Sequence, residues 1–236
     1  MKKSRLIMIG VVSILSTLTA AVPGASANGT DGDGATYVVS ITNETDGQYL
    51  TPANFAAHDP SIRVFQRGRE ASSGVQAVAE NGNVDALAAE LYEAVDAEGL
   101  GTSGVANGGV LAPGQIGNFE VTTPATRLSI VSMLICTNDG FAGLNSLQLP
   151  TIDGQSRAYP LQGYDAGTEI NTELKSDIVP APFCQEGADS GTGESNPALA
   201  ENGVIARHQT LQGVGDLNPD FDWRGGAVAS LSIRAL

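Results

Sequence analysis

Three acidic residues of this sequence have the type and setting of metal ligands: Glu120 in NFEVT, Asp139 in TNDGF and Asp165 in YDAGTE. Asp139 and Asp165 each follow a stretch that predicts a buried strand, so both are expected in loops at strand ends, whereas Glu120 lies within a predicted strand. Calcium requires hard oxygen ligands, about six to eight of them, on flexible loops. The three carboxylates therefore either converge on calcium or are solvated turn residues.

Convergence of these carboxylates would itself require a cation. Carboxylates that are brought together without a counter-charge repel one another and lose solvation, whereas calcium turns that repulsion into attraction. The spacing of Glu120, Asp139 and Asp165 along the chain does not decide whether they meet. Calcium binding is thus an expectation that the three-dimensional arrangement has to support.

Catalytic motifs are missing from the sequence. A serine triad needs a histidine base, and the two histidines, His58 and His208, lie beside no Gly-x-Ser-x-Gly motif. His58 precedes Asp59-Pro60 and is interpreted as a turn residue, while His208 is interpreted as a surface residue or an internal hydrogen-bonding residue. We therefore expect that the protein is not an enzyme.

The first 27 residues are predicted to be a signal peptide. They contain three basic residues near the start, an apolar stretch over residues 6–20 and the small-x-small sequence Ala25-Ser26-Ala27. The alternative, an uncleaved membrane anchor, is weaker because the apolar run is short for a spanning helix and is followed by Pro23-Gly24. We expect a secreted or cell-surface protein without membrane insertion after cleavage.

The net charge of the exported chain limits the classes of partner that it can bind. Cleavage removes three basic residues and no acidic one, which leaves 26 acidic and 9 basic residues, a formal charge of −17. Nucleic acid and anionic lipid are poor partners for such a surface. The acidity suits either salty surroundings or the binding of cations.

Two cysteines, Cys136 and Cys184, remain in the exported chain. An even number of cysteines in an exported protein favours a disulfide, although two free buried thiols are the alternative. Zinc is disfavoured because two cysteines and two distant histidines make a poor ligand set.

The pattern of apolar residues predicts a mainly β domain. Residues 28–35 are a Gly- and Asp-rich leader, and residues 36–236 are expected to form one β-sandwich with a short helical insertion. A helix is predicted over 84–95, with a further turn over 75–79. The predicted extended segments are 36–43, 61–66, 117–123, 126–135 and 227–236, with a tight turn at Pro124-Ala125 joining two antiparallel neighbours and a long acidic loop over 185–202.

Three sequence motifs resemble those of bacterial and archaeal spondin-N proteins, relatives of the N-terminal domain of F-spondin and mindin. They are TNDGFAGLNSL, YDAGTEINTE and the segment GVIARHQTLQGVGDLNPDFDW with the following AVASLSI. The resemblance covers about residues 36–235. It implies a C2-like antiparallel β-sandwich that binds Ca²⁺ at one end and acts as an extracellular adhesion or binding module.

The resemblance also implies a set of ligands. Matched by motif, Asp139 and Asp165 would bind calcium, with Glu120 as a third carboxylate and the backbone carbonyl of Tyr164 as a further ligand. The residues expected just outside the ligand set, where they would support the loops or hold a ligand water, are Asn138 and Glu169. The partner expected for the domain is an unidentified extracellular protein or glycan.

Two other functions stay open at this point. One is a calcium-dependent hydrolase that acts on polysaccharide or lipid through His208 or through acidic residues near the metal. The other is a structural component of a surface layer or extracellular matrix. A concave pocket with acidic residues at an open metal position would favour the hydrolase.

Overall fold

A computed structural model describes residues 34–106, 108–184 and 194–236. The predicted signal peptide, the leader over 28–33 and residues 185–193 of the predicted acidic loop lie outside the described residues. Within the described ranges the chain is mainly β, and its strands form one antiparallel sheet. The strands are β1 Ala35–Asn43, β2 Asn54–His58, β3 Gly101–Val105, β4 Ile116–Thr123, β5 Arg127–Met133, β6 Gly140–Gln148, β7 Ser156–Asp165, β8 Ala206–Arg207 and β9 Ala227–Ala235.

The sheet is nearly closed on itself. Its strand order is β3-β2-β5-β6-β7-β9-β1-β4, with the short β8 added to β7. The two edge strands approach each other, and the hydroxyl of Thr102 in β3 donates to the carbonyl of Thr122 in β4 at 3.2 Å. Opposite walls of the sheet therefore face each other across one core, which agrees with the sandwich-like fold expected from the sequence.

Two apolar cores lie on the two faces of this sheet. The inner core takes alternate residues of several strands, as in β1, where Tyr37, Val39 and Ile41 are buried. The outer core lies between the β5–β6 region and the helical insertion. Because both of its faces are covered, β5 is buried along nearly its whole length.

The helical insertion connects β2 to β3. Helix α1 spans Ser73–Asn81 and helix α2 spans Val84–Leu91, which continues as a π-helical turn over Tyr92–Asp96. Ser72 caps α1 by accepting from the Val75 N–H, and Gly82 ends it in the left-handed conformation at φ 65°. The predicted helix over 84–95 and the turn before it are confirmed. No helix among the described residues is long and apolar enough to cross a bilayer.

Three local expectations are wrong. The strands on either side of Pro124-Ala125 are not paired neighbours, because β4 pairs with β1 while β5 pairs with β2 and β6. Both strands contribute to the inner core from different walls, so the connection is an arch across that core. Residues 61–66 are not a strand, and they form an irregular connection after β2. His58 ends β2 and is fully buried in place of lying in a turn.

Cys136 and Cys184 form the expected disulfide, with Cα atoms 5.5 Å apart. The bond ties the segment after β5 to a segment 48 residues later in the sequence, and both cysteines are buried in the outer core. The alternative of two free thiols is therefore excluded.

Replacing both cysteines by serine should lower the free energy of unfolding by about 4 kcal/mol, because a loop of this length is then free in the unfolded chain. Urea denaturation of the oxidised wild type and the double variant measures the difference. Equal midpoints would show that the bond does not constrain the unfolded state.

His58 should make stability depend on pH. Its Nδ1 lies 2.8 Å from the Asp59 carbonyl and its Nε2 lies 2.8 Å from the Ser129 hydroxyl. Burial lowers the pKa of His58 below its ordinary value of 6.5. A lowered histidine pKa contributes stability that is fully present above about pH 6.5 and is lost as pH falls through the folded-state pKa.

We therefore expect the free energy of unfolding of the wild type to fall more steeply between about pH 7.5 and pH 5 than that of His58→Gln. Denaturant unfolding at several pH values measures both slopes. The comparison isolates His58 because His208 is present in both proteins. Parallel slopes would contradict a neutral, buried His58.

Candidate metal centre and adjoining cavity

The structure brings Asp139 and Asp165 together at one end of the sheet. Asp139 precedes β6 in the loop after β5, and Asp165 ends β7. Gly140 pairs with Asp165 in the antiparallel register of β6 and β7. The Ala166 N–H also donates to the Asp139 carbonyl at 3.1 Å. Sheet pairing thus places the two carboxylates at adjoining ends of the neighbouring strands β6 and β7.

Asp139 is fully buried and only half of its carboxylate is satisfied. Its Oδ2 accepts from the backbone N–H groups of Thr168 and Glu169 at 2.8 and 3.1 Å, and from the Thr168 hydroxyl at 3.3 Å. Its Oδ1 is buried and has no hydrogen-bond partner among the described residues. Burial and the nearby Asp165 carboxylate raise the pKa of Asp139 to about 7, although the hydrogen bonds to Oδ2 act in the opposite direction.

Asp165 shapes the loop that follows β7. Its Oδ1 accepts from the Gly167 N–H at 2.7 Å, and its Oδ2 accepts from the Asn171 side-chain amide at 2.6 Å. Gly167 has φ 70°, and a Cβ there would lie 2.6 Å from the backbone nitrogen of Val204. Glycine is required at this position because a side chain would be strained and would meet the neighbouring backbone.

The other residues expected at the site lie beside Asp139 and Asp165. Tyr164 precedes Asp165 in β7 and pairs with Phe141 and Arg207. The Asn138 side chain accepts from the Glu173 N–H at 3.2 Å, so it supports the loop. Glu169 contacts Asp139 through its backbone, while its carboxylate accepts from the Asn196 N–H at 3.1 Å.

Glu120 is not part of this site. It is exposed on β4, and the register across the sheet runs from Glu120 through Val38 in β1 and Arg234 in β9 to Ser156. Glu120 is therefore level with the start of β7. Asp165 lies nine residues further along β7, about 30 Å away at the usual strand rise. The expected convergence of three carboxylates is therefore reduced to two, because strand pairing places Glu120 at the opposite end of the sheet.

A cavity of about 330 Å³ adjoins Asp165. Its lining residues come from two segments of the chain that the sheet brings together: Asp165, Ile170, Asn171, Glu173, Glu201, His208, Gln209, Thr210, Gln212 and Val214. Sequence reasoning did not identify this cavity. Glu173 and His208 occur in the motifs that carry the family resemblance, but nothing in their spacing indicates that they share a pocket.

His208 is held firmly in the cavity wall. Its Nδ1 accepts from the Thr210 N–H at 3.0 Å, and its ring meets Trp223 edge-on with centroids 5.0 Å apart. Its Nε2 is buried without a hydrogen-bond partner among the described residues. Burial lowers the pKa of His208, although Asp165 and Glu173 act in the opposite direction. In the neutral ring the proton is on Nε2, because Nδ1 is the acceptor.

A second acidic cavity, of about 290 Å³, lies beside the Glu169 side chain. Glu80, Glu169 and Asp177 line it, and Glu80 accepts hydrogen bonds from Gln76 and Ser195. Burial raises the pKa of Glu169 to about 7; the nearby Glu80 and Asp177 carboxylates act in the same direction, and the bond from Asn196 acts against them. The acidic groups here are held by protein hydrogen bonds.

The carboxylate oxygens of Asp139 and Asp165 are suitable ligands for a hard cation, but this end of the sheet supplies few other side-chain ligands. No group of three or more histidine, cysteine, aspartate or glutamate side chains is arranged to hold a metal ion in the described part of the chain. A calcium ion here would need backbone carbonyl or water oxygens in addition to Asp139 and Asp165. The buried, unsatisfied Oδ1 of Asp139 is the atom that fits such an ion.

A comparison with protein-family models places residues 48–183 in the Spondin_N family. The matched segment contains Asp139, Tyr164 and Asp165 and ends before His208. A comparison with curated proteins found no match.

Glu173 offers a test of how the cavity is built. It is buried, and its carboxylate accepts from the backbone N–H groups of Gln212 and Val214. Glu173→Ala should lower the free energy of unfolding by about 2 to 3 kcal/mol, because two N–H groups lose a charged acceptor. Urea denaturation measures the change, with the exposed Glu201→Ala as control. A loss no larger than that of the control would contradict this role.

Proposed function

Because the chain belongs to the spondin-N family, we propose that it is an extracellular binding module that holds Ca²⁺ between the Asp139 and Asp165 loops. Spondin-N domains are typical of extracellular proteins. The Cys136–Cys184 disulfide is consistent with an oxidising location.

One observation carries the metal proposal: Asp139 Oδ1 is a buried carboxylate oxygen without a hydrogen-bond partner among the described residues, close to a second carboxylate. An unsatisfied buried carboxylate oxygen costs free energy unless it is protonated or binds a cation. A hard divalent cation would satisfy this atom and offset the repulsion from Asp165. The backbone carbonyl of Tyr164 stays a predicted additional ligand.

Calcium at this position would supply charge and would cross-link loops that are distant in sequence. The protein's own residues already orient Asp139, since Thr168 and Glu169 donate to its Oδ2 and leave Oδ1 free. Asn171 and Gly167 orient Asp165 in the same way. The loops would then present a defined surface to a partner, which suits a binding module.

The hydrolase alternative is favoured by one feature, the cavity that Asp165 and His208 line. A histidine base needs a free lone pair directed at the substrate. In His208 the Nδ1 lone pair is occupied by the Thr210 N–H, and Nε2 carries the proton. Nε2 is also buried, so His208 is not placed to remove a proton from a substrate, which favours binding over hydrolysis.

The calcium proposal predicts a metal-dependent rise in the thermal midpoint. At calcium about a thousand times its dissociation constant, linkage adds about 4 kcal/mol to the free energy of unfolding, or roughly 10 °C for a domain of this size. Asp139→Asn and Asp165→Asn should lose the rise because each removes a carboxylate from the ion. Thermal unfolding in calcium and in excess chelator measures it.

Glu120→Gln is the matched control, because it removes a carboxylate that is exposed at the opposite end of the sheet. It should keep the full calcium response. The calcium response of each variant is the difference between its thermal midpoint in calcium and its thermal midpoint in chelator. A loss of stability that is unrelated to the metal lowers both midpoints and leaves this difference unchanged. Equal thermal midpoints of the wild type in calcium and in chelator would contradict the proposal.

A further inference from the structure

We propose that Gln48 is a positioning residue for the candidate metal centre, because its side chain holds the loop that carries Asp139. This inference rests on the proposed function and deepens it, since it names a residue outside the ligand set that sets the affinity for calcium. Gln48 lies in the connection between β1 and β2 and is fully buried. The burial of the loop, the hydrogen bonds that Gln48 makes with it and the network behind Gln48 carry the inference.

The loop between β5 and β6 is buried throughout. Residues 135–139 form it, and each is at most 4% exposed. Backbone N–H and C=O groups in such a loop cannot rely on water, so protein groups have to satisfy them. For Cys136 one side chain does both, because Gln48 Oε1 accepts from the Cys136 N–H and Gln48 Nε2 donates to the Cys136 carbonyl, each at 3.1 Å. A single amide therefore fixes the backbone three residues before Asp139.

The two hydrogen bonds of Gln48 continue a short antiparallel ladder. Leu50 forms a bridge with Leu134, and the Ile135 N–H donates to the Tyr49 carbonyl at 2.9 Å. The Gln48 side chain adds one more pair of hydrogen bonds to this ladder, at the point where the loop turns. The ladder therefore extends into the loop before β6 through a side chain.

Gln48 is itself held by buried polar groups. Its backbone carbonyl accepts from the Asn43 side-chain amide at 2.8 Å. The Thr45 hydroxyl lies 2.9 Å from the same carbonyl and 2.7 Å from Asn43 Oδ1. Asn43 and Thr45 are both buried, and the Thr45 N–H also donates to Asn43 Oδ1 at 3.0 Å. A satisfied buried network of this kind holds Gln48 in one arrangement.

The two carboxylates of the candidate metal centre depend on different supports. Asp165 ends strand β7, whereas Asp139 lies in a loop and takes its position from that loop. Without the hydrogen bonds from Gln48, binding of an ion would also have to order the loop, and the binding free energy would fall by the cost of that ordering. Residues that orient metal ligands from outside the ligand set typically change metal affinity by about 10- to 100-fold.

Isothermal titration of the purified protein with calcium tests this role. Gln48→Met keeps the length of the side chain and removes both hydrogen bonds, so it should raise the calcium Kd at least about tenfold. The thermal midpoint in chelator is measured on the same samples. A purely structural role of Gln48 would lower that midpoint and leave the Kd of the folded protein unchanged.

Asn145→Leu is the matched control. The Asn145 side chain also pairs with the backbone through both ends of its amide, since it donates to the Phe65 carbonyl at 2.6 Å and accepts from the Val64 N–H at 3.1 Å. Asn145 lies six residues after Asp139, about 20 Å away at the usual strand rise. The control should lower the midpoint in chelator and keep the wild-type calcium Kd.

Thr45→Val is a second and milder variant. It removes the hydroxyl behind Gln48, keeps the shape of the side chain and should raise the calcium Kd by a smaller factor. If Gln48→Met does not fold, Thr45→Val decides the question. A wild-type Kd in the deciding variant overturns the inference, and so does an equal loss of affinity in Asn145→Leu.

The wild type separates this inference from the metal proposal. Calcium binding by the wild type with an unchanged Kd in Gln48→Met overturns the role of Gln48 alone. A wild type that binds no calcium overturns the metal proposal and the role of Gln48 together.

Discussion

Burial of the Asp139 carboxylate is the constraint on which one end of this molecule depends. A fully buried acid needs partners, and here the Thr168 and Glu169 N–H groups satisfy one of its oxygens. Those donors lie 29 and 30 residues later in the sequence, so the carboxylate fixes the loop after β7 against the loop before β6. The disulfide at Cys136, three residues earlier, anchors the same loop to a third segment.

The same arrangement links the candidate metal centre to the cavity. Asp165 belongs to both, since it neighbours Asp139 and lines the space in front of His208. The segment after β8 closes that space because the buried Glu173 holds its backbone at Gln212 and Val214. A substitution at Asp165 would therefore alter both the candidate metal centre and the lining of the cavity.

Local features of the sequence predicted much of the fold. Residues with a three- and four-residue apolar spacing formed the helix at Val84–Leu91, and β-branched segments formed β1, β4, β5 and β9. The two cysteines formed the expected bond. The helix and the strands depend on residues that are close in sequence and share one face, and the disulfide had one possible pairing. The linear sequence therefore contains the information that predicts them. The family resemblance, carried by short motifs, is confirmed over residues 48–183.

The sequence by itself determined the residue types of the candidate site, the mainly β class and the pairing of the cysteines. The tertiary structure decided which strands are neighbours, and this separated Glu120 from Asp139 and Asp165 and made the β4–β5 connection an arch. It also brought His208 to Asp165. Strand pairing and register depend on how the buried faces of distant segments fit together around the core. That fit is a property of the whole packed sheet, and no single segment contains it.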